Sequence, residues 1–488
     1  MSTTTLIESS RTSPLPSFAA RPVLIITGVT ALVHVIAAAF GDFWIDEVYM
    51  LAIGKYHPDF GYADQPPLAP MIAAAMDWIA PESMIALRLP AALATAGAVL
   101  LAGLLARELG AGRRGQAVAA FAVATGLWSA LIGHFVAPYT FEPVLWLALL
   151  FPVVRWLRQH SRGVADDRLL LVFGVLLGIN LLLKFQVALL CVALLIGALA
   201  VGPRAILARP KLWLGTGIAL VLASPTLIWQ ALHGWPQLGM ASIVSQEAEF
   251  LFGGRTGSTI MMVAFAGVVG SGLVVVGTYR LLRNPHLRPY RLFAVAALVL
   301  FVIFVITVAR PYYVAGLYGV LIAAAVAEVP GSAPAKPSRW GWTAWPVYAL
   351  SLVVAVVLAN PSALNSEEMP IPVSEQVAGD TSRAYTGLAP ARRAHTAVLA
   401  ESYILAAMVE VGQDDHELPP VHSPHRGYGY FERPGDDVRN IVFVGRDPGE
   451  VRGSFERAEQ LVRGDVSVWV LTGRQESWAT IWPRIRHL

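Results

Sequence analysis

Long runs of apolar residues, separated by short polar stretches, dominate the first three quarters of the chain. A run of about 18 residues or more is long enough to cross a hydrocarbon core of roughly 30 Å as an α-helix. The pattern therefore predicts a mainly α, polytopic membrane protein. We expect eleven spans, near residues 22–41, 84–106, 115–134, 141–158, 168–183, 186–202, 212–231, 259–279, 291–309, 312–328 and 341–360.

Positive charges are distributed unevenly between the loops that connect these predicted spans. If the N-terminus lies inside, the inner loops carry eighteen Lys and Arg residues, whereas the outer loops carry only Lys55, Lys184, Arg255 and Arg310. Positively charged loops favour the cytoplasmic side of a membrane. The sequence thus predicts a cytoplasmic N-terminus, and eleven crossings then place the residues from 361 onward outside.

Three regions follow from the polarity of the sequence. Residues 1–21 are rich in Ser and Thr and predict a disordered cytoplasmic tail, and residues 22–360 form the predicted membrane domain. Residues 361–488 are polar and acidic, and they predict a small extracytoplasmic α/β domain. Within it we expect strands at 396–402, 441–445 and 466–473 and a helix at 403–412.

The first outer loop, residues 42–83, is long and contains two apolar segments that are too short to span a bilayer. These segments, near 46–56 and 68–80, predict interfacial helices that lie along the membrane surface. Gly61, Pro66 and Pro67 separate them. Because most inner loops are short and basic, we expect the chemistry of the protein to face outward.

Composition narrows the function classes. The chain is 56% hydrophobic and 14% charged, which excludes an ordinary soluble protein. The net charge of +3 gives no indication of nucleic-acid binding. Cys191 is the only cysteine, so neither an intrachain disulfide nor a cysteine-based metal site can form.

The first outer loop contains carboxylates next to the predicted membrane surface. Asp46 and Glu47 follow the first span directly, and Asp64 precedes a stiff Pro-Pro pair. Carboxylates this close to hydrocarbon are costly unless they are paired, solvated or used in function. A structural alternative also fits, in which Asp46 is the N-cap of an interfacial helix and Asp64 lies in a plain turn.

Taken together, the Asp-Glu pair and the following Tyr-x-Asp-x-Pro-Pro-Leu segment resemble the first outer loop of the protein O-mannosyltransferase-like family, which includes the aminoarabinose transferase-like proteins. The resemblance extends along nearly the whole chain. Its further segments are residues 88–110, 136–158, 174–190, 224–238, 309–327 and 400–431. Two departures are Gln65, where the family often has His, and Glu142, where it usually has Asp.

The resemblance implies a GT-C fold and inverting transfer of a hexose or pentose from a polyprenyl phosphate to an acceptor hydroxyl or amine. In that mechanism Asp46 is the expected general base and Glu47 its catalytic neighbour. We expect four residues to contact the acceptor or the sugar, namely Tyr62, Asp64, Glu142 and His233. Carboxylates of this set could also share a divalent cation, which leaves the metal requirement open.

The leaving phosphate needs positive charge, and cations on the predicted outer side are few. Lys184 and Arg310 each lie at the outer end of a predicted span, and Tyr312 and Tyr313 follow Arg310. These four residues are the predicted phosphate-binding group. Snorkelling of the two cations to lipid headgroups and an aromatic belt remain the structural alternatives. The segment His-Ser-Pro-His-Arg-Gly-Tyr-Gly-Tyr, which contains His422, His425, Tyr428 and Tyr430, is expected to cap the cavity.

Two other function classes stay open. A transporter or lipid flippase would also have many spans, and a non-catalytic protein could bind glycans through its outer domain. The predicted outer loops and span ends carry ten acidic residues against five on the inner side, which favours an enzyme with a one-sided site. The expected partners are membrane lipids, the lipid-linked sugar donor and an acceptor protein, lipid or polysaccharide. The composition indicates a bacterium, so the expected location is the cytoplasmic membrane.

Overall fold

A computed structural model describes residues 15–328, 345–358 and 373–488 of the chain. Predicted features outside these ranges are residues 1–14 of the tail, the basic loop with Lys336 and Arg339, the ends of the last predicted span, and the boundary at 360–361. In chain order the first sixteen helices are α1 (Ala20–Ala38), α2 (Ile45–Tyr56), α3 (Leu68–Ile79), α4 (Met84–Glu108), α5 (Arg113–Ala124), α6 (Leu127–Ile132), α7 (Pro138–His160), α8 (Arg168–Leu183), α9 (Val187–Ala200), α10 (Pro210–Leu232), α11 (Met240–Phe252), α12 (Gly254–Ala264), α13 (Gly267–Arg283), α14 (Arg291–Ile306), α15 (Ala315–Val326) and α16 (Trp345–Leu358).

The C-terminal part combines five helices with five strands. The helices are α17 (Ser374–Thr386), α18 (Pro390–Arg393), α19 (Tyr403–Val411), α20 (Gly449–Arg452) and α21 (Trp478–Ile485). The strands are β1 (Thr396–Ala400), β2 (Val421–His422), β3 (Asn440–Gly445), β4 (Phe455–Val462) and β5 (Ser467–Arg474). These elements lie where the sequence predicts strands at 396–402, 441–445 and 466–473 and a helix at 403–412.

Several of the described helices are long and apolar enough to cross a membrane. Five of them have at least 18 residues and are apolar enough to span, namely α1, α4, α7, α10 and α14 with the short 3₁₀ turn before it. A bent pair, α12 and α13, adds a sixth if it is counted as one span, and shorter apolar helices of 10–17 residues also occur. The protein therefore has several apolar helices of spanning length, while the total of eleven spans remains a prediction.

Two predicted spans are broken. The segment predicted over 259–279 bends by 91° between α12 and α13. Gly267 at the break has a φ of +85°, which L side chains rarely adopt, and an added Cβ would lie 2.3 Å from the Thr125 carbonyl oxygen. The segment predicted over 115–134 divides at Thr125 and Gly126 into α5 and α6.

The described residues form two compact units. The first comprises Met1–Ala39, Arg88–Pro225 and Ala241–Ala363 and contains most of the apolar helices. Small residues allow its helices to approach closely: a Cβ on Gly174 would lie 2.3 Å from the Cα of Gly215, so α8 and α10 meet backbone to backbone. We call this part the helical unit.

The second unit comprises Phe40–Leu87, Thr226–Met240 and Leu364–Leu488. We call it the mixed unit, because it joins α2 and α3 to the C-terminal sheet. The strand order is β2-β1-β3-β5-β4, with β2, β1 and β3 parallel and the β3–β5 and β5–β4 pairs antiparallel. Phe443 and Trp478 belong to the hydrophobic cluster between the sheet and α21. The loop predicted to lie outside, residues 42–83, thus belongs to the same unit as the described C-terminal residues.

Candidate active site

In the mixed unit, the predicted catalytic carboxylates lie in the first turn of α2. The N-cap is Trp44, and the carboxylate of Glu47 accepts the backbone N–H of Trp44 at 3.4 Å. Asp46 is the second residue of the helix, so it is not the N-cap that the structural alternative proposed. Glu47 is fully buried, whereas Asp46 is partly exposed. The positive end of the helix dipole favours both charges.

Asp46 is tied to residues from the far end of the chain. The hydroxyl of Tyr403, the first residue of α19, donates a hydrogen bond of 3.2 Å to Oδ1 of Asp46. The same hydroxyl accepts a hydrogen bond of 3.0 Å from Nη1 of Arg426, whose guanidinium also lies 4.5 Å from the centroid of the Tyr403 ring. Arg426 is 6% exposed. A carboxylate, a phenol and a buried cation therefore form a short chain of polar contacts.

Asp64 lies beside this chain. The hydroxyl of Tyr49, on α2, donates to Oδ1 of Asp64 at 2.9 Å, and the rings of Tyr49 and Tyr403 meet edge to face at 4.7 Å between centroids. Burial raises the pKa of Asp64 above its ordinary value, while the positive charge of Arg426 and the hydrogen bond from Tyr49 act to lower it; the charge of Asp46 adds to the rise. Two carboxylates and one arginine thus interact electrostatically.

The loop that carries Asp64 is fixed by backbone contacts. Tyr62 is buried, its N–H donates to the Gln65 carbonyl at 2.9 Å, and its hydroxyl lies within hydrogen-bond distance of backbone carbonyls. Gln230 donates to the Tyr62 carbonyl at 2.8 Å, and Gln237 donates to the Asp64 carbonyl at 2.7 Å. The Tyr62 side chain therefore contributes to the rigidity of the loop.

His233, predicted to contact the sugar, lies on the exposed side of the same unit. Its ring stacks on Trp229 at 3.9 Å between centroids, and its Nδ1 lies 2.8 Å from the Trp229 carbonyl oxygen. The Trp229 indole in turn donates to Asp59 at 2.7 Å. None of these contacts reaches Asp46 or Asp64.

The segment of residues 422–430, which contains His422 and His425, makes structural contacts within the mixed unit. Tyr428 donates to the buried carboxylate of Glu410, which also lies 2.8 Å from Nε2 of His57. His425 stacks on His487 at 4.6 Å, and burial lowers the pKa of His425 to about 3. His422 Nδ1 lies 2.9 Å from the Glu432 carbonyl oxygen. The segment is therefore an ordered part of the mixed unit.

Sequence reasoning missed the two residues that hold Asp46. Arg426 lies within the segment that was singled out for its histidines and tyrosines, and Tyr403 begins the predicted helix at 403–412. The detectable signal was the single arginine among apolar and aromatic neighbours, because an arginine in such surroundings needs partners. Its partner Tyr403 is 23 positions away, but Tyr403 meets Asp46 across 357 positions, and that contact follows from the fold rather than from the local sequence.

In the helical unit, the four residues of the predicted phosphate group come together in two linked pairs. Nζ of Lys184, which follows α8, lies 3.3 Å from Oε2 of Glu142 on α7 and 4.0 Å from the centroid of the Tyr313 ring. Glu142 is 3% exposed. Gln186 donates to the Tyr313 carbonyl at 3.0 Å, which joins this corner to the turn after Arg310.

Arg310 forms the second pair. Its Nη1 donates to the Tyr312 hydroxyl at 2.8 Å, and its Nη2 forms an ion pair with Glu247 on α11. Tyr312 is 4% exposed and stacks on Trp128 at 4.1 Å, and the Lys184 ammonium lies 5.6 Å from the centroid of the Tyr312 ring. Lys184 and Arg310 thus flank the Tyr312–Tyr313 pair, while the role of these four residues in binding a phosphate stays a prediction.

Some polar atoms of this cluster have spare hydrogen-bonding capacity. Among the described residues, Oε1 of Glu142, Nε of Arg310 and Oε1 of Gln186 have no hydrogen-bond partner although each atom is buried. Buried polar groups are ordinarily paired, and an unpaired one points to a ligand or an ordered water. The cluster can therefore accept further polar contacts.

The sequence leaves open whether the protein requires a divalent metal ion. Within the parts of the chain that the structure describes, no group of three or more His, Cys, Asp or Glu side chains is arranged to hold a metal ion. Asp46 and Asp64 are instead accompanied by Tyr403, Tyr49 and Arg426.

Comparison with known proteins supports the resemblance. The model of the dolichyl-phosphate-mannose-protein mannosyltransferase family matches residues 64–229, which include Asp64, Glu142 and Lys184. No curated protein matches the chain. The resemblance expected from the sequence is therefore confirmed, over a stretch shorter than half of the chain.

Solved structures match over a greater length. The crystal structure of ArnT from Cupriavidus metallidurans in the apo state has a TM-score of 0.62 and 13% identity, and the match covers 93% of this chain and 98% of that chain. The same protein bound to undecaprenyl phosphate has a TM-score of 0.59 and 14% identity, with 92% and 98% coverage. The archaeal oligosaccharyltransferase AglB from Archaeoglobus fulgidus, in complex with an inhibitory peptide and a dolichol-phosphate, has a TM-score of 0.51 and 12% identity, with 86% and 69% coverage. At these identities the likeness is one of fold.

Proposed function

We propose that the protein is an integral-membrane glycosyltransferase that moves a sugar from a polyprenyl phosphate to an acceptor hydroxyl or amine, with inversion at the anomeric carbon. The fold resembles that of ArnT, which has been crystallised with undecaprenyl phosphate, and that of AglB in complex with dolichol-phosphate. The positive-inside pattern supports a reaction on the extracytoplasmic face, with the N-terminus in the cytoplasm of a bacterial cell.

The donor phosphate is assigned to the helical unit. The observation that carries the proposal is the convergence of Lys184 on the turn that contains Arg310, Tyr312 and Tyr313, because two cations and two tyrosines in one place form a site for an anion. Each cation has a carboxylate partner, Glu142 or Glu247. A bound phosphate would take over the partner role of Glu247, which is the more exposed of the two carboxylates.

The acceptor is assigned to the mixed unit. The carboxylate of Asp46 takes the proton of the acceptor while the acceptor oxygen or nitrogen attacks the anomeric carbon. The bond between that carbon and the phosphate oxygen breaks, and the polyprenyl phosphate leaves with the electron pair on the side opposite to attack. Asp64 and Glu47 orient the acceptor or the sugar around Asp46.

The function is tested by supplying membranes that contain the full-length protein with a set of undecaprenyl-phosphate monosaccharides, both hexoses and pentoses. We expect one of them to lose its sugar and release undecaprenyl phosphate in the presence of envelope extract as the source of acceptor. The Asp46→Asn variant should lower this release by about 10²–10⁴-fold. If the wild-type membranes release no undecaprenyl phosphate from any donor, the proposed activity is wrong.

A transporter or lipid flippase is the competing function, and the bent pair α12–α13 is the feature that favours it, since broken helices are common in transporters. It predicts movement of the lipid-linked sugar between leaflets without loss of the sugar. An assay of donor accessibility on the two faces of sealed vesicles separates the two functions. Movement that persists in Asp46→Asn would favour the transporter.

A further inference from the structure

The backbone at Arg426 is held in an unusual conformation. Arg426 has a φ of +51°, in the left-handed region that a non-glycine residue rarely adopts. Its N–H donates to the His487 carbonyl at 3.0 Å, and the His487 N–H donates to the Pro424 carbonyl at 3.0 Å. The C-terminal residues of the chain therefore fix this conformation.

The neighbouring Gly427 shows how closely this loop approaches α2. A Cβ at Gly427 would lie 2.1 Å from the Tyr49 hydroxyl and 3.6 Å from Oδ1 of Asp64. Only a glycine leaves that space, so the loop is built to bring the backbone against the Tyr49–Asp64 hydrogen bond. With this backbone conformation the Arg426 side chain reaches the Tyr403 hydroxyl, which in turn contacts Asp46.

We propose that Arg426 is a positioning residue that orients Asp46 through the Tyr403 hydroxyl and supplies the positive counter-charge of the Asp46–Asp64 pair. This role rests on the proposed function, in which Asp46 accepts the acceptor proton. The sequence predicted the C-terminal residues to be a cap above the cavity. In the proposed role these residues also position Asp46, the proposed general base.

Arg426 affects Asp46 in two ways, by its positive charge and through the Tyr403 hydroxyl. A base must be ionised to accept a proton, and two neighbouring carboxylates disfavour each other's ionisation. Arg426 opposes this repulsion, because its positive charge acts to lower the pKa of Asp64. Tyr403 transmits the second effect, because a hydroxyl that accepts from Arg426 is left to donate to Asp46 in a fixed direction.

The titratable and charged groups around this pair come from α2, the loop after it, α19, the segment around Arg426 and the C-terminal residues of the mixed unit. They are Asp46 and Tyr49 on α2, Asp64 on the following loop, Tyr403 on α19, and His425, Arg426 and Tyr428 with His487 stacked on His425. Burial lowers the pKa of His425 to about 3, which keeps that ring neutral near pH 7. Arg426 is thus the permanent positive charge of the group.

The proposal is tested with Arg426→Gln, Arg426→Lys and Tyr403→Phe in the full-length protein. The matched control is Arg433→Gln, because Arg433 belongs to the same unit and pairs with the exposed Asp436 at the surface. The thermal midpoint in detergent, compared with that of Arg433→Gln, verifies that each variant is folded. In Arg426→Gln we expect kcat to fall severalfold near pH 7 and further on acidification, because Asp46 loses the orientation that Arg426 gives through Tyr403 and the carboxylate pair loses a positive charge.

The pH profile separates positioning from a general loss of structure. In Arg426→Gln the carboxylate pair keeps a proton to higher pH, so the acid limb of the kcat profile should move to higher pH while the KM for the donor stays unchanged. Arg426→Lys should restore the acid limb, since it keeps the charge. Tyr403→Phe should lower kcat without moving the limb. An Arg426→Gln profile with the wild-type shape overturns the proposal.

A second measurement does not depend on activity. Hydrophobic carbodiimides react with protonated carboxyl groups, and peptide mass spectrometry locates the product on Asp46 or Asp64. At neutral pH we expect labelling of these two residues to rise severalfold in Arg426→Gln and to stay at the wild-type level in Arg433→Gln. Unchanged labelling in Arg426→Gln contradicts the proposal even if no transferase activity is found, so failure of the function and failure of the inference remain distinct.

Discussion

Asp46 and Tyr403 are 357 positions apart in the sequence, and the Tyr403 hydroxyl donates a hydrogen bond of 3.2 Å to Oδ1 of Asp46. Asp46 is on the first helix of the mixed unit and Tyr403 begins α19, so residues from an early and a late part of the chain share one polar cluster. Any chemistry assigned to Asp46 is therefore sensitive to the C-terminal residues.

The first prediction concerns Asp46 itself. In Asp46→Asn we expect transfer to fall by about 10²–10⁴-fold, because an amide cannot accept the acceptor proton as a general base does. Binding of undecaprenyl phosphate should be retained, since that site is assigned to the helical unit. The measurement is the initial rate of sugar release from the donor in membranes.

The control for Asp46→Asn is Asp437→Asn, which removes an exposed carboxylate of the same unit. It should leave the rate unchanged. Full activity in Asp46→Asn would show that Asp46 is not the base and would leave Glu47 and Asp64 as the candidates.

The second prediction concerns competition for the cations. Lys184→Met should weaken binding of undecaprenyl phosphate by about tenfold or more, because a charge-assisted hydrogen bond contributes roughly 1.5–3 kcal/mol. Glu247→Gln should strengthen binding instead, because it removes the carboxylate that pairs with Arg310. The measurement is equilibrium binding of labelled undecaprenyl phosphate to the purified protein in detergent.

Arg209→Met is the matched control for Lys184→Met, since Arg209 belongs to the same unit and lies 3.8 Å from Asp167. It should not change the affinity. Weaker binding in Glu247→Gln would mean that Glu247 holds Arg310 in place rather than competing with the phosphate.

The sequence predicted the apolar helices and the resemblance to the mannosyltransferase family well, because apolar runs and local motifs are properties of neighbouring residues. It also placed Lys184 and Arg310 at the ends of predicted spans on one predicted side, and their joint role as a phosphate site stays a prediction. The role of Arg426 was not predictable, because it depends on a loop conformation with a positive φ and on contacts with α2. The bend at Gly267 was missed for the same reason: hydrophobicity does not record backbone direction.

The third prediction concerns the close approach at Gly427. Gly427→Ala places a Cβ 2.1 Å from the Tyr49 hydroxyl, so either the loop or Tyr49 must move. We expect a loss of about 1–3 kcal/mol in the free energy of unfolding, as for other overpacked sites, together with reduced transfer. Gly464→Ala is the control, since its Cβ would make only an ordinary contact of 3.6 Å. Equal thermal midpoints for the two variants in detergent would contradict the close approach.

The last prediction uses the buried His425, whose pKa is lowered to about 3 from an ordinary value of 6.5. Below pH 6.5 the unfolded chain binds a proton at this position and the folded protein does not, so stability is complete above that pH and falls as the pH decreases toward 3. The maximum slope for one such group is about 1.4 kcal/mol per pH unit. Substituting His425→Gln should therefore reduce the loss of stability between pH 7 and pH 5, measured as the difference in thermal midpoint. A smaller slope remains, because burial also lowers the pKa of His422.

His395→Gln, at an exposed position of the same unit, should keep the full wild-type slope. If His425→Gln and His395→Gln lose stability equally on acidification, the His425 ring is protonated in the folded protein and its burial does not keep it neutral.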